Sequence, residues 1–181
     1  MDVGANQGLY SLLANQNVHC KAIYAFEPVA QTCKNLKSNI ELNRANKVKV
    51  LNYAISNTNE IKQISFDPNH TGGASIERKG ASGETQQISC ISAKELPSLL
   101  TLDKNLDIFI KVDTEGHEPI VINELRKTPF WTQVKSIFFE ADEGWYNSAE
   151  LIKLLESDGF KEAWRTPSQV QHFDVLMKRV L

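Results

Sequence analysis

Strand-length apolar runs alternate with amphipathic helical patterns along the sequence, and this rhythm restricts the chain to repeated βα units around a mostly parallel sheet. The clearest unit is AIYAFE at 22–27, rich in aromatic and branched residues, followed by Pro28, whose fixed φ suits a helix start. Behind it Val29, Cys33, Leu36 and Ile40 form one apolar stripe at helical spacing, which predicts a helix over 29–44. VKVLNYAI at 48–55 reads as the next strand. DIFIKVD at 107–113 is a further one, with Ile108, Ile110 and Val112 on one face and Phe109, Lys111 and Asp113 on the other. A helix is expected from about 117 to 127 and a strand at 134–140; a second helix then runs from an N-cap at Ser148 to Asp158, with Gly159 as its C′ residue.

Three segments fall outside the rhythm. The alternation at 61–66 and 85–91 suggests a hairpin-like insertion, in which His70, Gly72 and Gly73 read as a mobile turn more readily than as a lid. Ser92 and Glu95 have capping-box spacing, although Pro97 keeps any helix there short. Segments 160–165 and 172–179 are joined by Thr166, Pro167 and Ser168, too brief a link for a parallel crossover, and so predict an antiparallel edge. The expected fold is a single α/β domain over 1–181, Rossmann-like, with that edge on a mostly parallel sheet.

Composition excludes several partners and compartments. A net charge of −2 with 23% charged residues gives no electrostatic reason to bind nucleic acid. No apolar run approaches the ~20 residues of a membrane span, and no basic segment leads into one at the N-terminus. Cys20, Cys33 and Cys90 are odd in number and widely spaced, which argues against a disulfide framework and for a reducing compartment; the cytoplasm is the expected location.

The chemistry begins at DVGANQG, residues 2–8. Gly4 and Gly8 flank Asn6 after a strand remnant, and LYSLLA then starts a helix with Leu9, Leu12 and Leu13 on one side. Such a junction lets backbone N–H groups approach a ligand, though two glycines alone describe a tight turn equally well. Glu27 tips the balance: at the end of the next strand its carboxylate can accept from both hydroxyls of a ribose. A dinucleotide enzyme is the rival reading, but its fingerprint needs glycine where Asn6 and Leu9 stand. Asp2 would also repel a diphosphate, yet favour a sulfonium or ammonium group.

IKVDTEGHE, 110–118, gathers a second set. Lys111 and Asp113 share a strand face with Cα atoms about 6.6 Å apart. Because ligands of open α/β sheets bind at the carboxyl ends of strands, Asp113 and Glu115 should face the same crevice as the glycine loop. Glu140 and Asp142 project from the adjacent strand toward that region. For His117 and Glu118 a plainer reading is preferred, a solvated helix-start residue and a support for the helix N-terminus. Trp145 and Tyr146 either stack on a sugar ring or cover the core edge. His19 and His172 have no acidic or cysteine partner at metal-ligand spacing and are left to the surface or to core packing.

DVGANQG, then YAFEP, then IKVDTEGHE together resemble the FkbM family of class I S-adenosylmethionine-dependent methyltransferases, and the resemblance covers essentially the whole chain. It implies a seven-stranded sheet, S-adenosylmethionine as cofactor and O-methylation of a hydroxyl on a sugar, glycan or polyketide-like small molecule. It places Asp2, Gly4, Ala5, Asn6 and Gly8 around the methionine and ribose portions, Glu27 on the ribose hydroxyls with Pro28 beside it, and Tyr53 and Ala54 near the adenine. Asp113 borders the cofactor and is the preferred base among Asp113, Glu115 and His117, with Lys111 orienting it or holding a substrate oxygen. No metal is expected, although Mg²⁺ on Asp113, Glu140 and Asp142 is an alternative. The competing class is an inactive or truncated cofactor-binding module, and less favoured is a nicotinamide-binding dehydrogenase domain. Met1 directly precedes Asp2, where the family has several apolar residues. The central strand is therefore expected to be truncated, as if an N-terminal segment were missing or a homodimer partner supplied a strand.

Overall fold

The computed structural model describes residues 1–67, 70–77, 84–167 and 171–180. In chain order its elements are β1 (Asp2–Val3), α1 (Leu9–Gln16), β2 (Ile23–Phe26), α2 (Ala30–Leu42), β3 (Val48–Leu51), β4 (Ala54–Ile55), β5 (Ile61–Asp67), β6 (His70–Ser75), β7 (Glu84–Ile91), α3 (Leu96–Leu99), β8 (Ile108–Val112), α4 (Glu118–Arg126), β9 (Val134–Asp142), α5 (Ser148–Ser157), β10 (Phe160–Arg165) and β11 (His172–Arg179). The main sheet has seven strands in the order β10-β11-β9-β8-β1-β2-β3. Its run from β9 to β3 is parallel, and β11 lies antiparallel to both β9 and β10. The fold is therefore the expected α/β one, with its antiparallel edge.

The sheet's alternation decides where the core sits. Ile110, Val112, Ile137, Phe139, Val175 and Met177 join Val121, Ile122 and Leu125 of α4 and Leu151 and Leu155 of α5 in one buried cluster. Strand β2 is buried at all four positions, as befits a parallel strand covered on both faces. On the opposite face Phe109 and Trp164 are exposed, and the Phe138 ring lies 6.3 Å from Tyr10 and 6.5 Å from Trp164. Leu9, Leu12 and Leu13 share one side of α1, yet Leu9 and Leu13 are exposed, and Ser11 is the buried residue. The reason is a hydrogen bond of 2.6 Å from Ser11 Oγ to Asp2 Oδ2, which turns the polar side of the helix inward.

Strand β1 is only two residues long, as short as the sequence suggests, yet it pairs with both neighbours: Asp2 opposes Ala25 and Lys111, and Val3 opposes Phe26 and Val112. The single strand expected over 48–55 is instead two. Asn52 Nδ2 donates to the carbonyls of Glu27 (2.8 Å) and Pro28 (2.9 Å), turning the chain out of the main sheet. Ala54 and Ile55 then pair with Cys90 and Ile91 in a second, four-stranded sheet ordered β4-β7-β5-β6. The insertion is thus more than a hairpin, and His70, Gly72 and Gly73 lie within strand β6, not in a turn.

Two helix starts differ from expectation. No capping box forms at Ser92: its carbonyl, not its side chain, accepts from the N–H groups of Glu95 and Leu96. The N-cap of α5 is Asn147, whose Oδ1 accepts from Ala149 N at 3.1 Å, while the Ser148 hydroxyl donates to Glu143. Gly159 has φ 85° after α5, as a C′ residue should. Ser168 lies outside the described residues. No helix among them is long and apolar enough to cross a membrane.

Candidate active site

The glycine loop is forced into shape by contacts at both ends. Gly4, Asn6 and Gly8 all have positive φ (76°, 48° and 94°). The N–H groups of Gly4 and Ala5 both donate to Phe26 O, at 3.0 and 2.9 Å, which pins the loop to the end of β2. On its other side the loop presses against β8 so closely that a Cβ on Gly4 would lie 1.7 Å from Asp113 O. Glycine is required there for both reasons.

Glu27 stands where β2 ends. Its Oε2 accepts from Asn6 N and its Oε1 from Val29 N, each at 2.9 Å, so the carboxylate faces the loop with one lone-pair site per oxygen still to offer. Burial pushes its carboxyl up to about 7, against the pull of those two donors and of Lys111.

These residues open into a cavity of about 240 Å³ with two distinct ends. Tyr53, Ala54 and Ile55 form an apolar wall that Ile64, Ala74 and Ile76 of the insertion complete. Asp113, Thr114, Glu115 and Glu140 line the same cavity from the ends of β8 and β9. Of the residues expected at the site, Gly4, Asn6, Glu27, Pro28, Tyr53, Ala54, Asp113 and Glu115 line it. Asp2, Ala5, Gly8 and Lys111 do not. Lys111 lies beneath the loop, donating to Gly4 O at 2.8 Å and pairing with Asp113 (3.1 Å) and Asp2 (3.5 Å), with Tyr10 flanking its ammonium at 5.1 Å.

The acidic end is dense. Asp113, Glu115 and Glu140 each place a carboxylate oxygen within 4.8 Å of the others. Burial first, then the neighbouring Asp113, pushes Glu140 up to about 7. Asp142, which the sequence groups with Glu140, does not line the cavity: its Oδ1 accepts from Gly144 N at 2.7 Å and its Oδ2 lies 3.5 Å from His172. Tyr146 donates to Glu140 O at 2.7 Å and Trp145 packs over Gly116, so both aromatics support the site's outer wall.

Two histidines are corrected by the fold. His172, left to the surface or to core packing, sits 2.9 Å from Glu140 Oε1; burial pulls its pKa down, but the surrounding carboxylates win and raise it. The register that pairs His172 with Asp142 across β11 and β9 was the available signal. His117 is not solvated but 2% exposed and lines the cavity, because positive φ at Glu115 and Gly116 (54° and 99°) turns the chain inward ahead of α4. Its ring nitrogens meet Glu77 Oε1 at 2.6 Å and Ser56 Oγ at 3.1 Å, and burial lowers its pKa. Glu118 does support the turn, accepting from Thr114 N (2.6 Å), Thr114 Oγ1 (2.8 Å) and Gly116 N (3.0 Å). Ser56, Ile64, Ala74, Ile76 and Glu77 carry no motif, and sequence reasoning missed them.

The glycine loop, Glu27 and the acidic turn fall within a segment that matches a known family. The family model described as Methyltransferase FkbM domain matches residues 2–162, which contain all three features. The chain belongs to the FkbM methyltransferase family. A curated relative, Methyltransferase 1 of Beauveria bassiana (strain ARSEF 2860), is 24% identical over 185 aligned positions, covering 92% of this chain and 74% of that protein. The FkbM methyltransferase structure from Methylobacillus flagellatus KT superposes with a TM-score of 0.57 at 16% identity, covering 97% of this chain and 42% of its own. The M. capricolum TrmK structure, solved with S-adenosylhomocysteine, gives 0.57 at 9% identity, covering 98% and 60%. The chain thus spans about half the length of these two solved structures.

The residues present fit the cofactor that membership in the FkbM family suggests. The apolar end suits a nucleobase, Glu27 a ribose, and the carboxylates a sulfonium and an ammonium group. Asn6 Oδ1, moreover, is a buried acceptor with no hydrogen-bond partner, as a site made to receive a donor from a ligand would have.

Proposed function

We propose that the chain binds S-adenosylmethionine in this cavity and catalyses O-methylation of a hydroxyl on a sugar, glycan or polyketide-like small molecule. The observation that carries the reading is the cavity's lining: Glu27 and the apolar Tyr53, Ala54 and Ile55 follow β2 and β3, while Asp113 and Glu115 follow β8 and Glu140 lies in β9, on the other side of β1. When bound, the cofactor supplies an electrophilic methyl group on a sulfonium. The protein's part is positioning, since a hydroxyl oxygen must be held ~3 Å from that carbon and in line with the bond that breaks. Glu27 accepts from the ribose hydroxyls, and Asn6 Oδ1 offers a further acceptor beside them. Lys111 fixes one oxygen of Asp113 at 3.1 Å, leaving the other to take the acceptor's proton as the new bond forms. The free thiols of Cys20, Cys33 and Cys90 suit a reducing compartment and support a cytoplasmic location.

Release of S-adenosylhomocysteine from S-adenosylmethionine in the presence of a panel of sugars and small alcohols tests the activity. Asp113→Asn is expected to lower turnover of the acceptor found by about 10²-fold or more, with cofactor affinity kept within about threefold. Full turnover in that variant would refute the base assignment. Binding without turnover on any acceptor would leave a cofactor-binding module.

The pH dependence has a definite sign. As a carboxylate Glu27 offers an acceptor oxygen to each ribose hydroxyl, whereas protonation turns one of them into a donor, and its carboxyl is pushed up to about 7. Affinity for S-adenosylhomocysteine, measured by titration calorimetry, is therefore expected to be level well above pH 7 and to fall below it, by up to about tenfold per unit. A level profile down to about pH 5.5 would contradict the role given to Glu27.

A further inference from the structure

Ile64 and Ala74 belong to the second sheet and Ile76 follows it directly, yet all three close a cavity built on the first. A short chain of hydrogen bonds joins the two. Ser75 Oγ donates to Glu115 O at 2.6 Å and accepts from Glu77 N at 3.1 Å, which fixes the backbone of 75–77 against the acidic turn. The Glu77 carboxylate then meets His117 Nδ1 at 2.6 Å, and His117 Nε2 lies 3.1 Å from Ser56 Oγ. Partner chemistry assigns the protons. Ser56 Oγ accepts from Lys62 Nζ at 3.0 Å and lies 3.4 Å from Asn57 Oδ1, so it leaves Nε2 either role, whereas an ionised carboxylate at Nδ1 can only accept. The proton facing Glu77 is therefore on Nδ1, in a charge-assisted bond between an imidazole that is 2% exposed and a carboxylate that is 37% exposed.

We propose that His117 is a positioning residue: with Glu77 it latches residues 74–77 onto the nucleobase end of the cavity, and this latch sets the affinity for the nucleoside half of the cofactor. The inference rests on the cofactor reading above and deepens it. Because the latch is anchored on the turn that also carries Glu115, it ties the nucleobase wall to the acidic end of the same site.

Titration calorimetry with S-adenosylhomocysteine and with adenosine, combined with amide hydrogen exchange over 74–77, tests the latch on the full chain. Glu77→Ala is expected to raise both dissociation constants about tenfold and to speed exchange over 74–77. Glu77→Gln, whose amide oxygen still accepts from Nδ1–H, should stay within about threefold of the unaltered protein. A purely structural contribution would lower Tm without moving the two affinities together. Should Glu77→Ala fail to fold, Glu77→Asp, one methylene too short to reach the ring, reads the same contact. Binding by the unaltered protein with no loss in Glu77→Ala overturns the latch alone, as does a Glu77→Gln variant as weak as Glu77→Ala. An unaltered protein that binds neither ligand overturns the cofactor reading and this inference with it.

Discussion

Gly4→Ala is expected to abolish detectable cofactor binding and to lower Tm by about 10 °C. The added Cβ would lie 1.7 Å from Asp113 O and 2.8 Å from its carbonyl carbon, both backbone atoms that no rotamer change can move. An L residue at φ 76° adds roughly 1–2 kcal/mol of local strain. A backbone collision of this size belongs with the larger single-site losses, about 3–5 kcal/mol, and each kcal/mol is worth about 2–4 °C in a domain of this length. Gly8→Ala is the internal comparison, because it shares the positive φ (94°) but its Cβ would meet a side-chain atom, Leu36 Cδ1 at 2.4 Å, rather than backbone. Differential scanning calorimetry should place Gly4→Ala well below Gly8→Ala. Equal Tm values, or retained binding of S-adenosylhomocysteine by Gly4→Ala, would show that the loop does not depend on its contact with Asp113.

Glu27→Ala is expected to weaken S-adenosylhomocysteine binding about hundredfold. The substitution removes the acceptor proposed for two ribose hydroxyls, and hydrogen bonds to an ionised group contribute about 1.5–3 kcal/mol each. It also strands the N–H groups of Asn6 and Val29, which the carboxylate now satisfies at 2.9 Å, so the loop loses the contact that faces it toward the ligand. Adenosine affinity should fall by a comparable factor. A loss below about tenfold for either ligand would mean that the ribose does not sit on this carboxylate.

Much of this was legible in the sequence because local pattern and tertiary environment agree. The buried run at 23–26, the alternation of 108–112 and the pair 160–165 with 172–179 each fix a strand by periodicity alone, and the main sheet follows. The glycine loop, Glu27 and Asp113 were legible because each lies at a strand end, where a residue type has a chemical reason to be. What was not legible depends on contacts between distant segments. The break at Asn52 depends on carbonyls of Glu27 and Pro28 that come near only in the fold. Ser11 displaces the α1 leucines from the core because Asp2 lies beneath it, and no helical periodicity contains that partner. His117 reads as exposed until segment 75–77 is laid over it, and the two roles open to Lys111 are separated only when Gly4 O, Asp2 and Asp113 are seen around its ammonium, which favours orienting Asp113 over holding a substrate.

The close seating of Gly4 on Asp113 has a consequence for how such a protein can change. The cofactor loop and the acidic turn are not interchangeable modules: Asp113 N donates to Val3 O, Lys111 Nζ holds Gly4 O, and the Gly4 position has no room for a methyl group between them. Transplanting either segment alone from a relative would import a mismatch at this seam, whereas exchanging both together would carry the seam along.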